Sequence, residues 1–251
     1  MTKDGAALAL VPAELTAGLS EEEKQVLLQV YQEQFQLSRE GFDFKPQRIK
    51  INKDTQMFTD PLGNNLEELR GVILLKQKTR GHWPPQGSGD KRPLCSSLDG
   101  ISGTDRDGKT HNCKTCPLNA WGSASDGNQE RRGKACKEMR RVFLLPEGTQ
   151  LPYVISLPPT SLAAWDNYCS ARLTQNLPDI AAEAVLRLVP GQIGGFNVSI
   201  IKPSIGKKFA PAQILQMVKL QKEFADSWKR TEITDEDYDT GESANSNEPW
   251  S

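Results

Sequence analysis

The chain has 251 residues, with 31 Lys and Arg against 32 Asp and Glu, 37% apolar residues and five cysteines. That length can bury a sizeable core in one domain or two, and no stretch approaches the roughly 18 apolar residues of a membrane span. The near-neutral total hides an asymmetry: residues 1–40 hold three Lys/Arg against seven acids, residues 231–251 hold none against seven, and residues 41–230 therefore carry +10. A basic body with acidic ends favours a polyanionic partner. The amino terminus lacks the basic segment and apolar core of a secretory signal.

In chain order, residues 1–19 show little periodicity and read as a flexible N-terminus. Ser20 and Glu23 form a capping box ahead of a helix carrying Val26, Leu27, Val30, Tyr31 and Phe35, with Gly41 as its stop. Alternation over Pro46–Ile51 predicts a short strand, Gln56–Phe58 a second piece of that ribbon, and Asp60–Asn64 a turn. Leu69–Gln77 is a stronger strand. Strands follow at Arg141–Leu145 and Leu151–Leu157, then a helix capped by Ser161 with Leu162, Trp165, Tyr168, Cys169 and Leu173 on one stripe. Glu183–Val189 and Gly195–Ile201 read as a hairpin turning at Pro190-Gly191, with a bulge or close approach at Gly194-Gly195. Pro211 opens a last helix with Ile214, Leu215, Met217, Val218, Phe224, Ala225 and Trp228. About six short strands with two or three helices suggest an α+β or mostly β fold: a small antiparallel barrel or sheet of the OB type.

Residues 93–139 have no long periodic run and cannot bury enough apolar surface to hold themselves together. Cys95, Cys113, Cys116 and Cys136 lie in this stretch, in the spacing C-x17-C-x2-C-x19-C. Four thiolates suit a closed structural zinc site whose binding energy would fold the loop. An iron–sulfur cluster is the alternative, which Cys116-Pro117 favours. A redox pair at Cys113/Cys116, and His111 in place of one thiol, are further options. Cys169 belongs to a helix stripe.

Single-strand binders combine cations with stacking aromatics. The candidate phosphate contacts are Arg48, Lys50, Lys76, Lys78 and Arg80 from the strands, and Arg131, Arg132, Lys134, Lys137, Arg140 and Arg141 around Cys136. Trp83 and Trp121 are the candidate stacking residues.

The last residues, 231–251, are acidic and end Asn247-Glu248-Pro249-Trp250-Ser251. Such a tail resembles those of single-stranded DNA-binding proteins, although those of bacteria end in Pro-Phe. With the four-cysteine insertion, the whole resembles the single-stranded DNA-binding proteins of phages and mobile elements. That resemblance implies an OB-like body over 20–230, a zinc-binding subdomain inserted at 84–140, and a disordered acidic tail at 231–251. It also implies non-catalytic binding of single-stranded DNA in replication or recombination, partner proteins recruited through the tail, and the cytoplasm of a bacterial host with no membrane role. Two alternatives remain. One is an adaptor that binds a host replication or transcription protein. The other is a metal-dependent nuclease using Asp99, Asp105 and Asp107 with Lys109, although no HExxH, Walker A or GxSxG string supports an enzyme.

Overall fold

In the computed structural model the described residues are 13–39, 46–85, 90, 92–124, 133–149, 151–193, 196–234 and 237. The expected stop at Gly41 and the features placed at Gly194-Gly195, Arg131, Arg132 and the tail tip lie outside them. The helices are α1 (Ala13–Thr16), α2 (Glu21–Arg39), α3 (Leu162–Thr174) and α4 (Pro211–Lys229). The strands are β1 (Gln47–Arg48), β2 (Lys50–Asn52), β3 (Met57–Thr59), β4 (Asn65–Leu66), β5 (Glu68–His82), β6 (Cys95–Ser97), β7 (Ser102–Asp105), β8 (Thr110–Asn112), β9 (Lys137–Leu145), β10 (Tyr153–Leu157), β11 (Ala182–Ile193) and β12 (Phe196–Lys208).

The fold is α+β, with two open sheets. A nine-stranded sheet runs β1-β10-β9-β5-β6-β7-β8, with β11 pairing both β5 and β12, and β2-β3-β4 form a small second sheet. Neither closes, so the expected OB-type barrel is corrected. The reason is in the pairing. The 46–77 region does not fold on itself as one hairpin: β1 leaves to pair β10 in parallel, Gln47 opposite Tyr153, while β2 and β3 pair antiparallel with Ile51 opposite Phe58. At fifteen residues, β5 runs well beyond the predicted strand, ending at His82 rather than Gln77. It binds β11 at one end, Leu69 opposite Leu186, and β6 at the other, Gly81 opposite Ser96. A strand shared in this way builds a wide sheet rather than a small barrel.

The chain divides into two compact units. Unit 1 comprises Met1–Lys76, Val142–Ile155 and Thr160–Thr231. Its core gathers Val72, Leu74, Phe143, Leu145, Val154 and Trp228. The Phe143 and Trp228 rings stack with centroids 5.8 Å apart. The capping box forms as read, Ser20 N–H donating to Glu23 Oε2 at 2.8 Å and Glu23 N–H to Ser20 Oγ at 3.3 Å. Ser161 does not cap α3; its buried hydroxyl accepts from Ile201 N–H at 2.8 Å instead, tying the start of the helix to β12. The hairpin turn lies beyond Pro190-Gly191: both residues stay in β11, opposite Ser199 and Val198. Arg172 is buried, donating to Tyr168 Oη at 2.8 Å and to the Pro178 carbonyl at 2.6 Å. Burial pushes the Tyr168 phenol up to about 12 despite that guanidinium.

Unit 2 comprises Gln77–Arg141, Ser156–Pro159 and Glu232–Ser251. Its small core joins Trp83, Met139 and Ile233, with Leu98 against them. Gly81 makes room: a Cβ there would run into the Trp83 ring. Beside this core the Arg141 side chain, 0% exposed, meets the Asp237 carboxylate at 2.8 Å. Arg141 also donates to the Glu232 carbonyl at 2.9 Å. Asp237 in turn accepts from Ser156 Oγ and, at 2.9 Å, from Thr234 N–H. Ile233 and Asp237 fall in the stretch that composition reads as a tail, yet both are buried here.

A buried ion pair stripped of one partner costs about 3–5 kcal/mol, because the remaining charge is stranded. Chemical denaturation should therefore show Arg141→Met and Asp237→Leu each destabilising the protein by about that much, with the double variant recovering most of the loss. Truncation after Thr231 should destabilise it as well.

Candidate functional site

The cysteine segment is built from short strands and side-chain-to-backbone bonds. Asp99 accepts from Ile101 N–H at 2.7 Å, Ser102 N–H at 2.9 Å and the Ser97 hydroxyl at 3.0 Å. Asp105 accepts from Lys109 N–H at 2.9 Å and Asp107 N–H at 3.1 Å, and lies 2.6 Å from His111 Nε2. The His111 contact, with these backbone bonds, holds its carboxyl below the usual range. Two of the three carboxylates considered for a nuclease thus organise turns, the ordinary work of Asp in such loops.

Farther along, Asn119 donates to the Cys113 carbonyl at 2.8 Å, Ser123 Oγ to the Leu118 carbonyl at 2.8 Å, and Cys136 N–H to the same carbonyl at 2.9 Å. Gly122 N–H reaches the Gly133 carbonyl at 2.8 Å, and Ala135 N–H reaches Ser123 Oγ at 3.0 Å. This lattice does the stapling that composition assigned to a metal.

The metal expectation is corrected. Among the described residues no group of three or more His, Cys, Asp or Glu side chains is disposed to hold a metal ion, so neither the zinc site nor the iron–sulfur alternative at Cys95, Cys113, Cys116 and Cys136 stands. All four are free thiols. Burial pushes Cys95 up to about 11, and the neighbouring Cys136, Cys113 and Cys116 add to the shift. Burial also raises Cys136, against the nearby Arg80 guanidinium. On β7, Gly103 allows this proximity: a Cβ there would stand 3.0 Å from Cys95 Sγ and 3.5 Å from Cys113 Sγ.

Strand alternation sorts the candidate cations. In unit 2, neighbouring strands β5 and β9 place Lys78 and Arg80 opposite Glu138 and Arg140. Glu138 binds Arg80, Lys78 at 3.1 Å and Arg140 at 2.9 Å. Burial would raise its carboxyl, but these three cations outweigh it and hold it below the usual range. The other face of β9 carries Met139 and Arg141 inward, so Arg141 is removed from any surface. Lys137 Nζ donates to the Lys134 carbonyl at 2.7 Å, and Lys134 Nζ to Asn119 Oδ1 at 3.0 Å. In unit 1, Lys76 pairs with Asp179 at 2.7 Å, Lys50 is exposed and Arg48 half-buried.

The tryptophans separate. Trp83 is 7% exposed within the small core, while Trp121 is 75% exposed. Glu138 and Asn119 were missed as site residues. Glu138 was visible as the lone acid in Lys134-Ala-Cys-Lys-Glu-Met-Arg-Arg141. Asn119 gave no signal, because its role depends on which amide oxygen faces which strand.

The resemblance to phage single-stranded DNA-binding proteins is corrected with the barrel and the zinc lobe that carried it. The expected DNA strand lying along an OB-type groove loses its basis as well, since no such fold or groove is present among the described residues and most of the candidate cations bind acids or carbonyls of this chain. No family model, curated protein or solved structure matches the chain. No helix among the described residues is long and apolar enough to cross a membrane.

Gly103→Ala should cost about 1–3 kcal/mol by crowding the thiols, measured by denaturant titration, and Cys95→Ala in the same chain should relieve part of it. Alkylation followed by mass spectrometry should find Cys95 slow at pH 8, its rate rising with pH toward about 11 as thiolate forms.

Proposed function

We propose that this chain is a non-catalytic nucleic-acid-binding protein that makes a local contact through unit 2, with Trp121 stacking on an unpaired base. The observation that carries this reading is the exposure of Trp121 on a loop whose backbone is fixed on both sides by hydrogen bonds. A large indole held in water contributes little to folding, and a rigid platform lowers the ordering cost of stacking. Stacking on an aromatic is worth about 1–3 kcal/mol per base and tolerates any sequence. Two residues away, Asn119 holds the Arg80 and Lys134 cations, which places positive charge near the indole in the chain. The basic balance of residues 41–230 supports the same partner class through long-range attraction.

The test is a titration of a fluorescent strand of about thirty bases, and of its duplex, at two salt concentrations. The strand should bind more tightly than the duplex and weaken with salt, and Trp121→Ala should weaken it about tenfold without lowering the melting temperature. Equal affinity for duplex, or an unaltered Trp121→Ala protein, overturns the reading. Absence of strand binding at low salt would assign the exposed indole to a protein surface instead, as in the adaptor alternative.

A further inference from the structure

Unit 2 crowds three cations around a single carboxylate and brings a fourth beside one of them. Lys78 and Arg80 come from β5, Arg140 from β9 and Lys134 from the preceding loop, and Glu138 is the described carboxylate that Lys78, Arg80 and Arg140 share. The crowding is tightest at Asn119. Arg80 Nη1 donates to Asn119 Oδ1 at 2.7 Å, and Lys134 Nζ donates to the same oxygen at 3.0 Å. Two like charges are thereby brought together over a neutral acceptor that cancels neither. At such separations the repulsion is appreciable even with strong screening. Arg80 is only 7% exposed, and its buried Nε has no hydrogen-bond partner. Lys78 is about half exposed and Lys134 is half-buried, so this excess of charge is open to solvent on one side.

We propose that this cluster is a binding site for a tetrahedral oxoanion of the phosphate class, with Lys134 and Lys78 as its accessible cations and Arg80 as the fixed guanidinium behind them. A phosphate group supplies several acceptor oxygens and the negative charge the cluster lacks, and Arg and Lys donors to such oxygens form short charge-assisted bonds. Glu138 and Asn119 hold the cations in place in the absence of the anion. The site deepens the nucleic-acid reading by assigning its phosphate contact, yet free phosphate tests it apart from that reading.

The experiment follows amide shifts of the full chain by NMR during titration with inorganic phosphate, against chloride at matched ionic strength. An abasic oligonucleotide, which has phosphodiesters but no bases, forms a second arm. Saturable shifts centred on residues 78–80, 119, 134 and 138–140 are expected. Lys134→Gln, which removes the charge from a side chain bonded to a neutral amide, should weaken binding about tenfold, the loss of roughly one charge-assisted bond. Lys78→Gln provides a second variant should the first perturb the loop. Response to phosphate alone makes the source a free anion, and response to the abasic strand makes it a nucleic-acid backbone; either supports the site. Shifts that chloride reproduces, or that both variants retain, overturn it. If Trp121→Ala leaves strand binding unaltered while phosphate still binds, the nucleic-acid reading fails and the anion site stands.

Discussion

The organisation of unit 2 depends on one buried ion pair. Two charges removed from water are tolerable only with close geometry and further hydrogen bonds, and Arg141 and Asp237 have both. The Glu232 carbonyl, the Ser156 hydroxyl and the Thr234 amide add hydrogen bonds to the pair. Their effect is to draw residues 232–234 and Asp237 against the middle of β9, where Ile233 closes the small core of Trp83 and Met139. A segment that composition alone would leave in solvent becomes part of the packed unit, and Trp83 is buried with it.

The same strand sets the chemistry of the surface. With β9 turning Met139 and Arg141 inward, alternation turns Glu138 and Arg140 the other way, toward Lys78 and Arg80 on β5. The inward charge is paired with Asp237, since stranding it in the interior would cost about 3–5 kcal/mol. The outward set is under no such constraint, and among the described residues Lys78, Arg80 and Arg140 share the one carboxylate of Glu138. The distinction between a structural arginine and a surface arginine one residue away is thus a matter of strand parity.

Between these strands the Gly- and Asp-rich segment is held by many small bonds rather than one large one. Asp99, Asp105, Asn119 and Ser123 each satisfy backbone groups that would otherwise face water, and each bond contributes on the order of 1 kcal/mol. Their sum gives Trp121 a fixed backbone beneath an exposed ring. The proposed binding surface is therefore a consequence of loop chemistry, whereas unit 1 owes its order to apolar packing around Phe143 and Trp228.

Local signals in the sequence were decisive where the interaction partners lie within a few residues. The Ser20/Glu23 capping box, the ribbon of β2 and β3, the Pro211 helix start and the exposed aromatic at Trp121 depend on spacing, turn chemistry or the lack of a nearby apolar run. Tertiary structure decided everything that required a distant partner: the length of β5, which is stabilised by different strands at its two ends; the parallel pairing of β1 with β10; the open sheet in place of a barrel; and the fate of Arg141, Arg80 and Trp83. A cation's solvent exposure is not encoded in its own neighbourhood, because a carboxylate about a hundred residues away in sequence, such as Asp237, can bury it as readily as water can hydrate it.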